Sequence, residues 1–325
     1  LVDALTHCTA FQSIEQHAKT LAAKRPGMEN DLELPRSTLK QLYDAGMLMR
    51  AQDVCSRLTP TGGASTAPTR AFIITCDRPD AVERLLESLL RAGNLGQHDE
   101  LFLVDDSRSP ENQAATREAV AMFNTRSVKG MSYLGADAQQ ALIDNLVRDL
   151  PEHEAGIRFL IDRAQWSGYK TYGRSRTLCL LLSVGYRAIV MDDDILCEAV
   201  LPPLREEGLG IGSGNRKAAF FPDEATMERS MERADFDALS GHASLLGASL
   251  GYALEHLVGG PPKPEWMGGV NATLANVLDP AGKVLVTQCG SWGDPGTGSA
   301  HWATTLRDDS LERLLRAPHG ISDAL

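Results

Sequence analysis

Residues 188–196 read AIVMDDDIL, three consecutive aspartates at the end of a run fit for a buried strand. Like charges this close cost free energy unless a cation shares the site. Side chains alternate along a strand, so Asp192 and Asp194 can present carboxylates to one side while Asp193 faces the other. Such a pair suits a hard divalent ion, Mg²⁺ or Mn²⁺, which prefers oxygen ligands and shares its remaining positions with phosphate oxygens. A metal there would stabilise charge developing on a diphosphate leaving group. Taken alone, the triplet is also explained as an acidic turn, solvated or capping the next helix.

Two more polar turns follow apolar runs. Thr75-Cys76-Asp77-Arg78 ends the run Ala71–Thr75, and Asp105-Asp106-Ser107 ends Leu101–Val104. Arg174 and Arg176 supply guanidinium forks, whose geometry matches paired phosphate oxygens. Plainer roles exist here too: Asp105 as a cap for the helix entered through Ser107 to Pro110, and the two arginines as solvated residues. Residues 288–302 (QCGSWGDPGTGSAHW) pack Gly, Trp, Asp and His into a loop-like stretch suited to close ligand approach and sugar stacking. A carboxylate in such a stretch can act as a general base, and Asp294 is the candidate. Glu265 and Asp223 are weaker alternatives. His301 is read first as structural and second as a further metal ligand. Residues 208–217 (GLGIGSGNRK) match neither the Walker pattern nor GxGxxG and are read as a flexible loop and strand start.

These turns need a scaffold that brings them together. Strands are expected at Ala71–Thr75, Leu101–Val104 and Tyr186–Met191, with a weaker one opening the unit from Met131 to Leu150. Helices are expected from Pro79 through Arg91, from Pro110 to Phe123 and from Gly173 to Val184, the last punctuated by Gly185. Strand and helix alternating at this rhythm predict an α/β fold, a mostly parallel sheet with helices on both faces. Ligands bind such sheets beyond the carboxyl ends of the strands, where all three polar turns fall. Residues 1–58 read as a small helical module, in which Ser37 or Thr38 caps a helix carrying Leu39, Leu42 and Tyr43 and Gly46 ends it. Residues 59–69, rich in Gly, Pro, Ser and Thr, read as a linker. The α/β domain then takes residues 70–325, with a nucleotide half at 70–198 and an acceptor half at 199–325 that is expected to lack a C-terminal piece.

The formal net charge of −11 argues against a nucleic-acid partner, which calls for a basic stripe. No apolar run is long enough for a membrane span. The six cysteines form no CxxC pair and are expected to be reduced, as in a cytoplasmic protein. Asn271-Ala272-Thr273 fits a glycosylation acceptor, which matters only in a secreted protein.

The stretches FIITCDRPDAVERLLESLL, LFLVDDS and GRSRTLCLLLSVGYRAIVMDDD, in this order and spacing, resemble glycosyltransferases of the GT-A fold, particularly the family-2-like group. The resemblance covers roughly residues 70–198. It implies a metal-dependent transferase that moves a sugar from a nucleotide-sugar, a UDP-sugar foremost, to an unknown hydroxyl or amine acceptor. Carried over by position, it implies that Thr75, Asp77 and Arg78 line the base and ribose pocket, and that Asp105 or Asp106 accepts a hydrogen bond from the base. Arg176, with Arg174, would lie near the phosphates, and Asp192 and Asp194 would hold Mn²⁺ or Mg²⁺ and touch the ribose, with Asp193 counted in the nucleotide-binding set. The chain departs from the common pattern with Asp77 in place of Asn and Ser175-Arg176-Thr177 in place of Ala-Arg-Asn. A nucleotidyltransferase on a similar sheet is the alternative enzyme, and a non-catalytic module that keeps the nucleotide pocket is the alternative outside catalysis.

Overall fold

The computed structural model describes residues 2–24, 31–59, 62–166, 168–169, 171–201, 203–205, 208–212, 219–288, 306 and 308–316. Its centre is β1 (Thr69–Thr75), whose sequence TRAFIIT is buried at every position except Arg70. A strand buried on both faces must be paired on both edges and covered above and below. β1 pairs in parallel with β2 (Glu100–Asp105) and with β4 (Arg187–Asp192), and β2 pairs in parallel with β3 (Met131–Leu134). The resulting four-stranded sheet has the order β3-β2-β1-β4.

Alternation along the strands divides the core into two layers. Ala71, Ile73, Leu101 and Leu103 meet Val82, Leu85, Leu86 and Leu89 of α5 (Pro79–Ala92) and Val120 and Phe123 of α6 (Pro110–Arg126). On the opposite face, Phe72, Ile74, Phe102 and Val104 meet Ile143 of α7 (Ala136–Asp149), Ile161 of α8 (Glu154–Ile161) and Leu178 and Cys179 of α9 (Tyr172–Leu182). Phe72 and Phe102 stack across the strand pair with ring centroids 5.1 Å apart. Helices on both faces of a parallel sheet make this a Rossmann-like α/β fold, as the alternating pattern predicts. Gly185, at φ +85°, makes the turn from α9 into β4 in the left-handed region that suits glycine.

The N-terminal segment is helical. α1 (Val2–His7), α2 (Ile14–Ala23) and α3 (Glu33–Asp44) enclose a small core of Ala4, Ala18, Leu21, Leu39 and Leu42. α3 begins upstream of the expected cap. Ser37 lies inside the helix, its hydroxyl donating to the Leu34 carbonyl, while the Asp31 carboxylate accepts from the Glu33 amide at the helix entrance. Gly46 follows the helix at φ +71°, and Tyr43 is exposed rather than packed. α4 (Ala51–Arg57) joins a different core, where Val54, Cys55 and Leu58 pack on Leu209, Leu254, Met267 and Val270.

That second core belongs to the C-terminal half. There β5 (Val200–Leu201) pairs antiparallel with β7 (Glu232–Arg233), and β6 (Gly210–Ile211) pairs in parallel with β8 (Gly269–Val270). Short helices fill the rest: α10 (Glu224–Ser230), α11 (Ser240–Leu245), α12 (Leu250–Val258), α13 (Ala272–Ala275) and α14 (Asp308–Leu315). The Asn271 carboxamide accepts from the Thr273 and Leu274 amides and opens α13. Among the described residues, no helix is long and apolar enough to cross a membrane, and the five described cysteines carry free thiols.

His98, buried just before β2, faces Ser240 Oγ from Nε2 at 3.2 Å. Burial lowers its pKa, Asp237 opposes that shift, and Arg187 and Lys129 reinforce it. The unfolded chain therefore takes up a proton at higher pH than the native one, so stability is complete above the ordinary histidine range and falls as pH drops below it. Urea midpoints are expected to fall between pH 7 and pH 5 in the wild type and to flatten over that window in His98→Gln.

Candidate functional site

Strand register fixes which polar groups meet. Thr75 lies opposite Asp105 across the β1–β2 pair, and Ile74 lies opposite Asp192 across β1–β4. Asp193 is one residue further along β4, and the Thr75 hydroxyl donates to its Oδ2 at 2.6 Å. The Asp106 amide donates to the Thr75 carbonyl at 2.9 Å and extends the ladder past the strand ends. All three sequence-predicted turns thus share one rim.

The deepest element of the rim is an ion pair. Asp106 and Arg174 have side chains 9% and 4% exposed, and Arg174 Nη2 donates to Asp106 Oδ1 at 2.5 Å. Arg174 also donates to the Ile161 carbonyl at 3.0 Å and to Gln139 Oε1 at 2.8 Å. The Thr171 hydroxyl donates to the other Asp106 oxygen at 3.1 Å. A charge taken out of water demands this degree of satisfaction. The pair ties the end of β2 to α7, α8 and α9, so Arg174 is a buried strut and not a solvated residue.

Asp105 is saturated as well. Its Oδ1 accepts from the Ser107 amide at 2.8 Å, and its Oδ2 accepts from the Tyr133 hydroxyl at 2.6 Å. Burial first, then Asp105 itself, raises the Tyr133 pKa well above its ordinary value and keeps the phenol protonated as a donor. The cap of α6 is Ser109, whose hydroxyl accepts from the Asn112 amide. Asp77 sits at φ +55°, a left-handed conformation rare outside glycine though tolerated by Asp. Its Oδ1 accepts from the Arg108 amide, the Ser109 amide and the Asn112 side chain at 2.9–3.2 Å, while its own amide donates to Ser107 Oγ at 2.7 Å. Burial alone would raise its pKa, but these hydrogen bonds outweigh it and hold the carboxylate below its usual range. Asp77 thereby clamps the β1 turn to the β2 turn.

The acidic triplet divides by exposure. Asp193 turns inward, buried beneath Thr75, with Arg78 Nη1 at 3.0 Å from its Oδ1. Its pKa is raised, chiefly by burial, with Thr75 and Arg78 working against the shift. Asp192 and Asp194 are exposed on the rim. Arg176 reaches both oxygens of Asp192 at 2.8 and 3.2 Å, and Arg78 reaches Asp194 at 2.9 Å. Two arginines therefore face the three aspartates. Among the described residues, no three acidic, histidine or cysteine side chains form a ready-made metal cage. The donors at hand are the two rim carboxylates, oxygen-only and of the type that suits Mg²⁺ or Mn²⁺ when water and phosphate complete the shell.

Thr75, Asp77, Arg78, Asp105, Asp106, Arg174, Arg176 and Asp192 to Asp194 are all brought to this rim. Asp294 and His301 lie outside the described residues. Asp223 caps α10, its carboxylate accepting from the Thr226 amide at 2.6 Å, and Glu265 lies on a single helical turn at Pro264–Gly268. Sequence reasoning missed Tyr133, Gln139, Arg163 and Thr171, which orient the two buried aspartates; Arg163 donates to the Ser107 carbonyl at 2.9 Å. No local pattern marks them, because the aspartates they orient lie at least 28 residues away. Comparison with protein-family models, with curated proteins and with solved structures finds no match to this chain.

Breaking the buried pair from one side leaves an uncompensated charge. Arg174→Met is expected to cost about 3–5 kcal/mol of unfolding free energy, whereas Asp106→Leu with Arg174→Met is expected to cost much less. Urea denaturation of the single and double variants measures both.

Proposed function

We propose that this rim binds a nucleoside diphosphate-sugar and that the chain is a metal-dependent glycosyltransferase. The observation that carries the reading is the meeting of three strand-end turns at one place where exposed carboxylates and exposed guanidiniums lie side by side. A diphosphate with a divalent ion is the ligand whose charges complement both sets. Breaking an exposed ion pair costs only about 0.2–1 kcal/mol, so Arg176 can leave Asp192 for phosphate oxygens with little penalty, and Arg78 can leave Asp194 while it keeps its contact to the buried Asp193. When bound, the metal would supply charge stabilisation for the leaving diphosphate at Asp192 and Asp194. The chain's own contributions are positional. Asp77 and the Asp106–Arg174 pair hold the turns, and Arg78 and Arg176 supply cationic donors for the leaving group.

A nucleotidyltransferase fits less well. The turn after β1 is Cys76-Asp77-Arg78 leading straight into Pro79 at the first turn of α5, with no glycine-rich loop to wrap a triphosphate. Asp294 remains the candidate base on sequence grounds.

Calorimetry with UDP, with and without Mn²⁺, tests the reading. Metal-enhanced UDP binding is expected in the wild type, with the enhancement lost in Asp192→Ala/Asp194→Ala. Slow hydrolysis of a UDP-sugar, abolished in Asp294→Asn with UDP binding retained, is expected to accompany it. UDP binding indifferent to both Mn²⁺ and the double substitution would overturn the proposal.

A further inference from the structure

Beside the rim, on the α7–α9 face, lies a cavity of about 520 Å³ lined by Arg108, Arg163, Arg174, Trp166 and Tyr169. Arg174 is shared with the floor of the rim, whereas none of Thr75, Asp77, Arg78, Arg176 or Asp192 to Asp194 lines the cavity. Two helices begin on its wall, α7 at Ala136 and α9 just after Thr171, and neither has a side-chain cap on its first amides. Helices of 14 and 11 residues place partial positive charge at those ends. The acids nearby are already engaged: Asp106 with Arg174, and Asp162 with Arg158 at 3.1 Å and the Ala164 amide at 2.8 Å.

Part of the lining is aromatic. Trp166 packs edge-on against Phe159 at 5.0 Å and against Tyr169 at 6.3 Å. Tyr169 is 68% exposed, so its ring is open to a ligand. A lining that holds both guanidiniums and aromatic rings suits an anion attached to a flat ring. With Arg174 engaged by Asp106, Arg108, Arg163 and the two helix N-termini are the groups that favour a dianionic phosphate over a carboxylate.

We propose that this cavity is a binding site for a phosphate monoester of a planar ring, separate from the strand-end rim. It does not rest on the glycosyl-transfer reading. Calorimetry with phenyl phosphate, inorganic phosphate and benzoate tests it on the full chain. Phenyl phosphate is expected to bind most tightly, about tenfold or more weaker in Arg163→Gln and weaker again in Trp166→Leu, and unchanged in Asp192→Ala/Asp194→Ala. Circular dichroism and urea midpoints of the variants separate loss of the site from loss of the fold, and Trp166→Leu leaves all three arginines in place. The proposal fails if phenyl phosphate does not bind, or if it binds both cavity variants as tightly as the wild type. Displacement of phenyl phosphate by UDP, or loss of its binding in the aspartate double variant, would make the cavity part of the rim and overturn its separateness. Benzoate binding as tightly as phenyl phosphate would overturn the phosphate assignment, and inorganic phosphate doing so would overturn the ring.

Discussion

Charge compensation at the carboxyl ends of the strands governs this structure. Asp77, Asp105, Asp106 and Asp192 to Asp194 crowd onto the ends of three adjacent strands. Such a set can fold only if each carboxylate finds a donor or a cation. The solution is graded by depth. Asp105 and Asp77 are neutralised by hydrogen bonds from amides, a carboxamide and a phenol, Asp106 by a buried guanidinium, and Asp192 and Asp194 by exposed ones.

That grading separates architecture from reactivity. The buried contacts are rigid because their loss leaves a polar group stranded in low dielectric. They tie α5, α6, α7 and α9 to the sheet, so the same groups that stabilise the rim also shape it. The exposed pairs are individually weak and exchangeable. The proposed exchange of these cations onto an incoming anion would use that combination of fixed floor and loose surface. Asp193 sits between the regimes: it is buried with Thr75, yet it shares Arg78 with Asp194.

Much of the sheet was legible because parallel strands buried on both faces are continuous apolar runs. AFIIT and LFLV announce themselves, and the leucines of α5 recur at helical spacing. The two-residue strands β5, β7 and β8 carry no periodicity and could not be read, whereas β6 falls within the strand start expected in residues 208–217. The rim's membership was legible because each turn follows an apolar run, but its internal bonding was not. The Arg78–Asp194 contact spans 116 residues and Arg174–Asp106 spans 68, and only the register of β1 with its neighbours brings them together. Sequence logic looked for a metal as the missing cation beside the aspartates; in the folded chain, arginines stand there. The α3 boundary was misplaced for a local reason, since Ser37 can cap a helix or sit inside one with its hydroxyl bonded back to Leu34.

The central claim is that Arg78 and Arg176 compete with a divalent ion for the rim carboxylates until a diphosphate draws them away. Electron paramagnetic resonance of free and bound Mn²⁺ tests it directly in the wild type and in Arg78→Met/Arg176→Met. The account predicts that the variant binds Mn²⁺ alone more tightly than the wild type, and that UDP strengthens Mn²⁺ binding in the wild type but much less in the variant. Equal Mn²⁺ affinities in the two proteins, with the same response to UDP, would contradict it.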